Sequence, residues 1–201
     1  MILTMQEPFI YLASQSPRRR QLLEQIGVKH ELLLPGADED AEALEAVIAG
    51  ESPEVYCARV TEAKLDAALA RLARRGLPAA PVLCSDTTVA VDQQILGKPA
   101  DADDALRMLR LLSGRRHRVI TAVAVGTPTQ RKAALNISEV EFDVVADADL
   151  RRYVEGGQPF GKAGSYAIQS EAAAWIRQIS GSYSGIMGLP LYETAQLLKA
   201  F

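Results

Sequence analysis

Residues 9–20, Phe9-Ile10-Tyr11-Leu12-Ala13-Ser14-Gln15-Ser16-Pro17-Arg18-Arg19-Arg20, set how the chain begins to fold. The first five are apolar and bounded by turn formers, which predicts a short buried strand. Ser14 to Pro17 end it, with Ser16 at an N-cap and Pro17 at the first helical position, where a missing N–H is tolerated. The helix then runs to about Ile26, with Leu22, Leu23 and Ile26 on one face, and Gly27 stops it. Three consecutive arginines occupy a first turn that ordinarily prefers acids. An anion would relieve that misplacement, and guanidinium forks suit phosphate. The plainer alternative is a solvated basic face with Ser16 as a simple cap. The Gly-rich run and Lys-Ser/Thr ending of a Walker loop are missing.

Outward from this unit, strands and helices interleave. A second strand is expected over 28–34, then an acidic loop at 35–40 and a short helix before Gly50. Ser52-Pro53 opens the longest helix, which closes near Arg75 at Gly76-Leu77-Pro78. Residues 82–91 read as a strand, with turns at 92–94 and 97–99. Asp101 caps a helix with Ala105, Met108, Leu109 and Leu112 at core spacing, ended by Ser113-Gly114. Residues 118–125 and 131–145 form a hairpin around 126–129. A short helix over 147–155, a strand pair within 165–179 and a closing helix over 189–200 complete the expectation. The hairpins exclude a purely parallel sheet and favour a mixed-sheet α/β fold.

Composition narrows the chemistry. The 201 residues carry 22 Lys+Arg against 25 Asp+Glu, a net charge of −3, which disfavours a nucleic-acid binder held by bulk positive charge. Hydrophobic residues make up 48%, ample for a core in one domain or two joined lobes. Cys57 and Cys84 supply no disulfide framework, and His30 and His117 no histidine-rich metal centre. A reduced, cytosolic protein is expected, with no secretory signal over 1–8 and no apolar run of spanning length. Carboxylates, Lys, Arg and hydroxyls are left to carry the chemistry.

Several residues stand out, each beside a plainer reading. Asp86, at the end of an apolar strand, could bind Mg²⁺ or act as a base, or simply bond turn amides. Lys64 lies in a helical stripe of apolar and small residues, where a snorkelling lysine is the common explanation. Lys98 sits rigidly between Gly97 and Pro99, as a ligand contact or as a turn lysine. Asp38-Glu39-Asp40 could add metal ligands or form a solvated loop. Gln169 can read a base edge through its amide, or be a surface residue. The groups Arg71-Arg74-Arg75 and Arg115-Arg116-Arg118 read as a helix C-terminus and a loop face.

Taken in order and spacing, several segments resemble one family from Tyr11 to Leu198. They are Leu12-Ala13-Ser14-Gln15-Ser16-Pro17-Arg18-Arg19, Glu62-Ala63-Lys64, Ser85-Asp86-Thr87, Gly97-Lys98-Pro99, Leu112-Ser113-Gly114, residues 162–169 and Gly188-Leu189-Pro190-Leu191. The chain is identified as a member of the Maf family, the septum-formation-associated nucleoside triphosphate pyrophosphatases. The resemblance implies one domain over 1–201, an elongated α/β fold whose mixed sheet and flanking helices form two lobes around a cleft, similar to inosine triphosphate pyrophosphatases. It implies cleavage between the α- and β-phosphates of a nucleoside triphosphate, with Mg²⁺, or Mn²⁺ in its place.

The resemblance also assigns roles. Asp86 matches the catalytic carboxylate, taking a proton from water or holding the metal. Glu39 (or Asp38) matches an acidic cleft position and joins Asp86 as a metal ligand. Lys64 and Lys98 match lysines near the triphosphate, offsetting charge as pyrophosphate leaves. Ser14, Arg18 and Arg19 match the substrate-binding loop. Arg18, Thr87 and Gln169 carry the residue types of the dTTP/UTP branch; the 7-methyl-GTP branch typically has a bulky aromatic, Gln and Glu there. Cys84-Ser85 replaces the usual Gly-Ala before the Asp, and Ser170 stands where Gly commonly follows the Gln. The implied partner is the nucleotide, with no stable nucleic acid and no membrane. A non-catalytic nucleotide-binding regulator of division is the rival of another class. Family members often look dimeric, and the apolar segment 185–189 could face a partner copy or the core.

Overall fold

The structure is a computed structural model that describes residues 9–37, 39–40 and 43–201. Asp38 and residues 1–8, and with them those expectations, lie outside the described residues. Seven strands form one mixed sheet. They are β1 (Ile10–Leu12), β2 (His30–Leu32), β3 (Val82–Val91), β4 (Gln94–Leu96), β5 (Arg116–Gly126), β6 (Arg131–Phe142) and β7 (Ile176–Ser180). The order across the sheet is β2-β1-β3-β5-β6-β7, with β4 also on β3. The β2-β1-β3 pairings are parallel and the remainder antiparallel, in agreement with the mixed-sheet expectation.

The central strand β3 has a divided edge. On one side β5 pairs with it from Val82↔Gly126 to Ala90↔Arg118. On the other side β1 pairs only at Val82 and Leu83, and β4 only at Val89 to Val91. Between them, Cys84 to Thr88 meet no strand on that side. The chain can leave this gap because β1 turns at Ser14 into helix α1 (Pro17–Gln25), while β4 folds back at Asp92-Gln93, with Asp92 at φ 55.

Side chains alternate across the sheet. Val82 and Cys84 pack with Leu65, Ala68 and Leu72 of the long helix α2 (Pro53–Arg74). Leu83, one residue along, packs on the opposite face with Leu22 and Leu23 of α1, Val123, Val125 and Leu189. Farther along, Val89 and Val91 join a third cluster with Leu106, Leu109 and Leu112 of helix α3 (Ala102–Leu112), and with Leu150 and Tyr153 of helix α4 (Asp147–Glu155). Each fully buried leucine stabilises the fold by about 1.5–3 kcal/mol relative to exposure. The gap in the β3 edge therefore falls between the two clusters packed around Val82–Cys84 and the third packed around Val89 and Val91.

Local signals explain most boundaries. Ser52 Oγ accepts from Val55 N at 3.3 Å, with Pro53 at the first turn of α2, and Asp101 Oδ1 accepts from Asp104 N at 2.8 Å to cap α3. The strand pair expected over 165–179 is not formed. Gly164 and Ser165 take positive φ (67° and 66°), and Ser170 caps a 3-10 turn over Glu171–Trp175 whose Glu-Ala-Ala-Ala run lacks β-branched side chains. Only Ile176–Ser180 pairs, with β6. The closing helix expected over 189–200 forms as α6 (Leu191–Leu198), and a short helix α5 (Tyr183–Met187) that was not expected precedes it, separated from it by Gly188 at φ 116 and Pro190. In segment 185–189, Gly185, Ile186 and Leu189 are buried in the core.

Gly164 locks the turn that forms one cleft wall. Its N–H donates to Gly97 O at 3.0 Å, and a Cβ there would lie 2.8 Å from Val89 Cγ1. Gly164→Ala therefore adds both a backbone strain and a clash with the sheet. A destabilisation of about 1–3 kcal/mol is expected, read as a fall of several degrees in the thermal midpoint; an unchanged midpoint would contradict the packing described.

Candidate functional site

The gap in β3 opens into a cleft of about 1130 Å³. Ser14, Arg18, Arg19, Glu39, Lys64, Asp86, Thr87, Lys98 and Gln169 all line it. Residues scattered over more than 150 positions of sequence thus meet in one concavity.

On the α2 face, Asp86 points at Lys64. The buried stripe of α2 includes Cys57, Val60, Thr61, Leu65 and Ala68, so a residue at 64 is carried against the sheet. Lys64 Nζ donates to Asp86 Oδ1 at 2.6 Å and to Glu45 Oε1 at 2.7 Å. Lys98 Nζ donates to the same Glu45, at 3.0 Å to Oε2 and 3.3 Å to Oε1. Burial pushes the Lys64 pKa down, but Asp86 and Glu45 outweigh it and leave the pKa above the usual lysine value. For Glu45, burial pushes upward, and the bonds from Lys64 and Lys98 outweigh it to leave the carboxyl below its usual range. Lys64 is thus an ion-pairing residue rather than a snorkelling one.

On the other face, Arg19 ties three segments together. Its Nε donates to Gly188 O at 2.7 Å, and its two terminal nitrogens to Ser14 Oγ and Thr87 Oγ1, each at 3.2 Å. Ser85 Oγ donates to Ala122 O at 2.8 Å and also lies 3.1 Å from Gly188 O. Thr121 Oγ1 lies 3.1 Å from Thr87 Oγ1 and 2.8 Å from Gly185 O, extending the network into β5. Burial lowers the Arg19 pKa, offset in part by Asp86. The Ser16 hydroxyl does not cap α1; instead Ser16 N donates to Ser14 Oγ at 3.2 Å. Arg18 reaches the cleft without a hydrogen bond or ion pair among the described residues. Gln169 is exposed on the far wall.

Glu39, expected as a second metal ligand with Asp86, lines the cleft, but its carboxylate is held by two arginines. Arg71 Nε bonds both its oxygens at 2.9 and 3.0 Å, Arg71 Nη2 reaches Oε2 at 2.6 Å, and Arg74 Nη2 reaches Oε1 at 2.7 Å. The carboxylate that shares Lys64 with Asp86 is Glu45. Nothing in the sequence marked Glu45, which falls in the short helix expected before Gly50. Arg71, in the last turn of α2 as expected, is buried and also donates to Leu33 O at 2.9 Å.

The histidine and cysteines stay out of the chemistry. His117 Nε2 lies 2.7 Å from the hydroxyl of Tyr166, a residue of the cleft wall, and both rings pack edge-on against Phe142. Burial pushes the His117 pKa down to about 4, leaving a neutral ring that supports the wall. Cys57 and Cys84 are free and buried, with burial pushing both thiols up to about 12.

No group of three or more His, Cys, Asp or Glu residues among the described ones is arranged to hold a metal. Two carboxylates converging on one ammonium suit Mg²⁺ only if phosphate and water complete its shell. Asp86 and Glu45 fit that limited donor role; an all-protein cage is not present among the described residues.

The family described as Maf-like protein matches residues 9–201. A dTTP/UTP pyrophosphatase from Albidiferax ferrireducens is 64% identical over 193 residues, 96% of each chain. One from Ralstonia nicotianae is 62% identical over 195 residues, 95% of this chain and 93% of the other. Among solved structures, a dITP/XTP pyrophosphatase from Mycobacterium abscessus aligns with TM-score 0.39 at 18% identity, over 66% of this chain and 73% of that one.

The Glu39 clamp has a pH signature. Bonds from Arg71, above all, hold its carboxyl down at about 2, against an ordinary value of 4.5. A folded-state pKa below the unfolded one stabilises above the ordinary value, and that stabilisation is lost as pH falls from 4.5 toward 2. Glu39→Gln is expected to be less stable than the native chain at pH 7, with the gap in urea midpoint narrowing below pH 4.5. A deficit that stays constant down to pH 3, at a pH about one unit above the clamped pKa, would contradict the clamp.

Proposed function

We propose, from the premise that this chain belongs to the Maf-like protein family, that it hydrolyses dTTP and UTP to the monophosphate and pyrophosphate. The observation that carries this reading is the convergence of Asp86, Lys64 and Lys98 with Arg18, Thr87 and Gln169 on one cleft. High identity to proteins named dTTP/UTP pyrophosphatase supports the choice of nucleotide.

Asp86 is the general base. Its carboxylate accepts a proton from the water whose oxygen bonds to the α-phosphorus, as the bond from that phosphorus to the α–β bridging oxygen breaks and pyrophosphate departs with the electron pair. Lys64 holds Asp86 Oδ1 in place through its 2.6 Å hydrogen bond. Lys98 and Lys64 lie where negative charge on the leaving group would be offset. A Mg²⁺ ion held by Asp86 and Glu45 would polarise the phosphoryl oxygens and neutralise part of the triphosphate charge. The Gln169 amide offers the donor and acceptor pair that thymine or uracil requires. Arg19 holds Ser14, Thr87 and Gly188 in register, so the loop before α1 and the strand face the nucleotide as one rigid surface.

The enzyme acts on free nucleotides in the cytoplasm, where its two buried thiols stay reduced. No helix among the described residues is long and apolar enough to cross a membrane. With segment 185–189 committed to the core, a homodimer would have to use another surface.

Two measurements test the reading. In a side-by-side panel with pyrophosphate detection, dTTP and UTP are expected to turn over well above 7-methyl-GTP, with EDTA stopping release. A preference for 7-methyl-GTP, or tight nucleotide binding with no pyrophosphate released over hours, would overturn it. Asp86→Asn is expected to lower kcat by about 10²- to 10⁴-fold with the fold retained by circular dichroism; near-native turnover would remove Asp86 from its role.

A further inference from the structure

The cleft's charges are unevenly matched. Lys64 and Lys98 are bonded to Asp86 and Glu45, and Arg71 to Glu39. Across the cleft, Arg18 has no partner among the described residues, and Lys162 donates only to main-chain carbonyls, those of Gln158 and Phe160. An ammonium carries three N–H donors, so at least one remains for a ligand. The two cations are close enough to repel: burial, and then Arg18, push the Lys162 pKa down. Holding two like charges together in a partly buried cleft without an acid is unfavourable, and an anion that joins them relieves the repulsion.

The backbone holds Lys162 there firmly. Ser165 N donates to Lys162 O at 3.1 Å, closing the turn. Gly164 N binds Gly97 O, so the turn carrying Lys162 is fastened to the turn carrying Lys98. Gly164 also sits so close to Val89 of β3 that no side chain fits. A lysine on a flexible surface loop would need none of this bracing.

We infer that Lys162 is a further substrate contact, which together with Arg18 receives the phosphates that leave as pyrophosphate. The inference rests on the pyrophosphatase reading above. The neutral base of dTTP or UTP has no need of two uncompensated cations, whereas the β- and γ-phosphates carry most of the triphosphate's charge. Gln169, uncharged and on the same wall, is left for the base. The acid-lined side, where Lys64 and Lys98 are bonded to Asp86 and Glu45, suits the α-phosphate, the attacking water and the α–β bridging oxygen on which leaving-group charge first develops.

The test is calorimetric titration of the full-length protein with inorganic pyrophosphate in EDTA, with dTTP turnover measured in parallel in Mg²⁺. Lys162→Gln is expected to weaken pyrophosphate binding by about tenfold or more and to raise the KM for dTTP. Its affinity for thymidine and its thermal midpoint should stay as in the native chain, while Lys162→Arg restores most pyrophosphate binding. Native-like pyrophosphate affinity in Lys162→Gln overturns the inference. So does a loss confined to thymidine, or a native chain that does not bind pyrophosphate. A native chain that binds pyrophosphate through Lys162 but cleaves no dTTP supports this contact and refutes the activity, which keeps the two failures apart.

Discussion

A strand has two hydrogen-bonding edges, and at any residue each edge accepts a single neighbour. On β3 one edge is taken by β5 for nearly its whole length. The other is shared by β1 at one end and β4 at the other, and neither reaches residues 84–88. That shortfall creates the cleft. It also explains why Asp86 and Thr87, adjacent in sequence, serve different surroundings. Alternation along the strand sends Asp86 to Lys64 on α2 and Thr87 to Arg19 on α1. A β1 longer by a few residues would pair across the gap and cover both side chains.

Around that gap the charged groups fall into two kinds. Those on the α2 side are closed into ion pairs, in which each carboxylate has a lysine or arginine to hold it. Those at the start of α1 and on the wall opposite lack carboxylate partners among the described residues: Arg18, Lys162 and Arg19, the last spending its donors on hydroxyls and a carbonyl. Self-balanced acids suit a step that needs an ionised base and a cation. Unbalanced cations suit a polyanionic ligand that supplies the missing charge. One cleft thereby offers both to a single nucleotide, and the near-zero net charge of the whole chain conceals the separation.

Much of this was legible in the residues. Ser52-Pro53 and Asp101 cap their helices, Gly114 follows one, and residues 82–91 alternate between two apolar faces. Those signals are local and chemical, so they survive in any fold that accepts them. Other signals misled for equally physical reasons. Ser16 has the right type and place for a cap, yet the neighbouring Ser14 hydroxyl takes the Ser16 N–H and binds Arg19 instead. Residues 165–179 look strand-like by composition, but two positive-φ residues and an alanine run turn them into a wall. The three residues 94–96 pair as a strand only because β3 runs beside them.

The sequence by itself determined the mixed α/β class, the strand–turn–helix at the start, the long apolar-striped α2, and which side chains had chemistry to offer: Ser14, Arg18, Arg19, Lys64, Asp86, Thr87, Lys98 and Gln169. Periodicity and capping act over a few residues, and so can be read one stretch at a time. Only the tertiary structure decided who pairs with whom. It gave Lys64 to Asp86 and Glu45, gave Glu39 to Arg71 and Arg74, and left Arg18 close enough to repel Lys162, with no carboxylate partner for either among the described residues. Ion pairing and charge repulsion depend on distances between segments as far apart in sequence as residues 64 and 86 or 18 and 162, and those distances exist only once the sheet has formed.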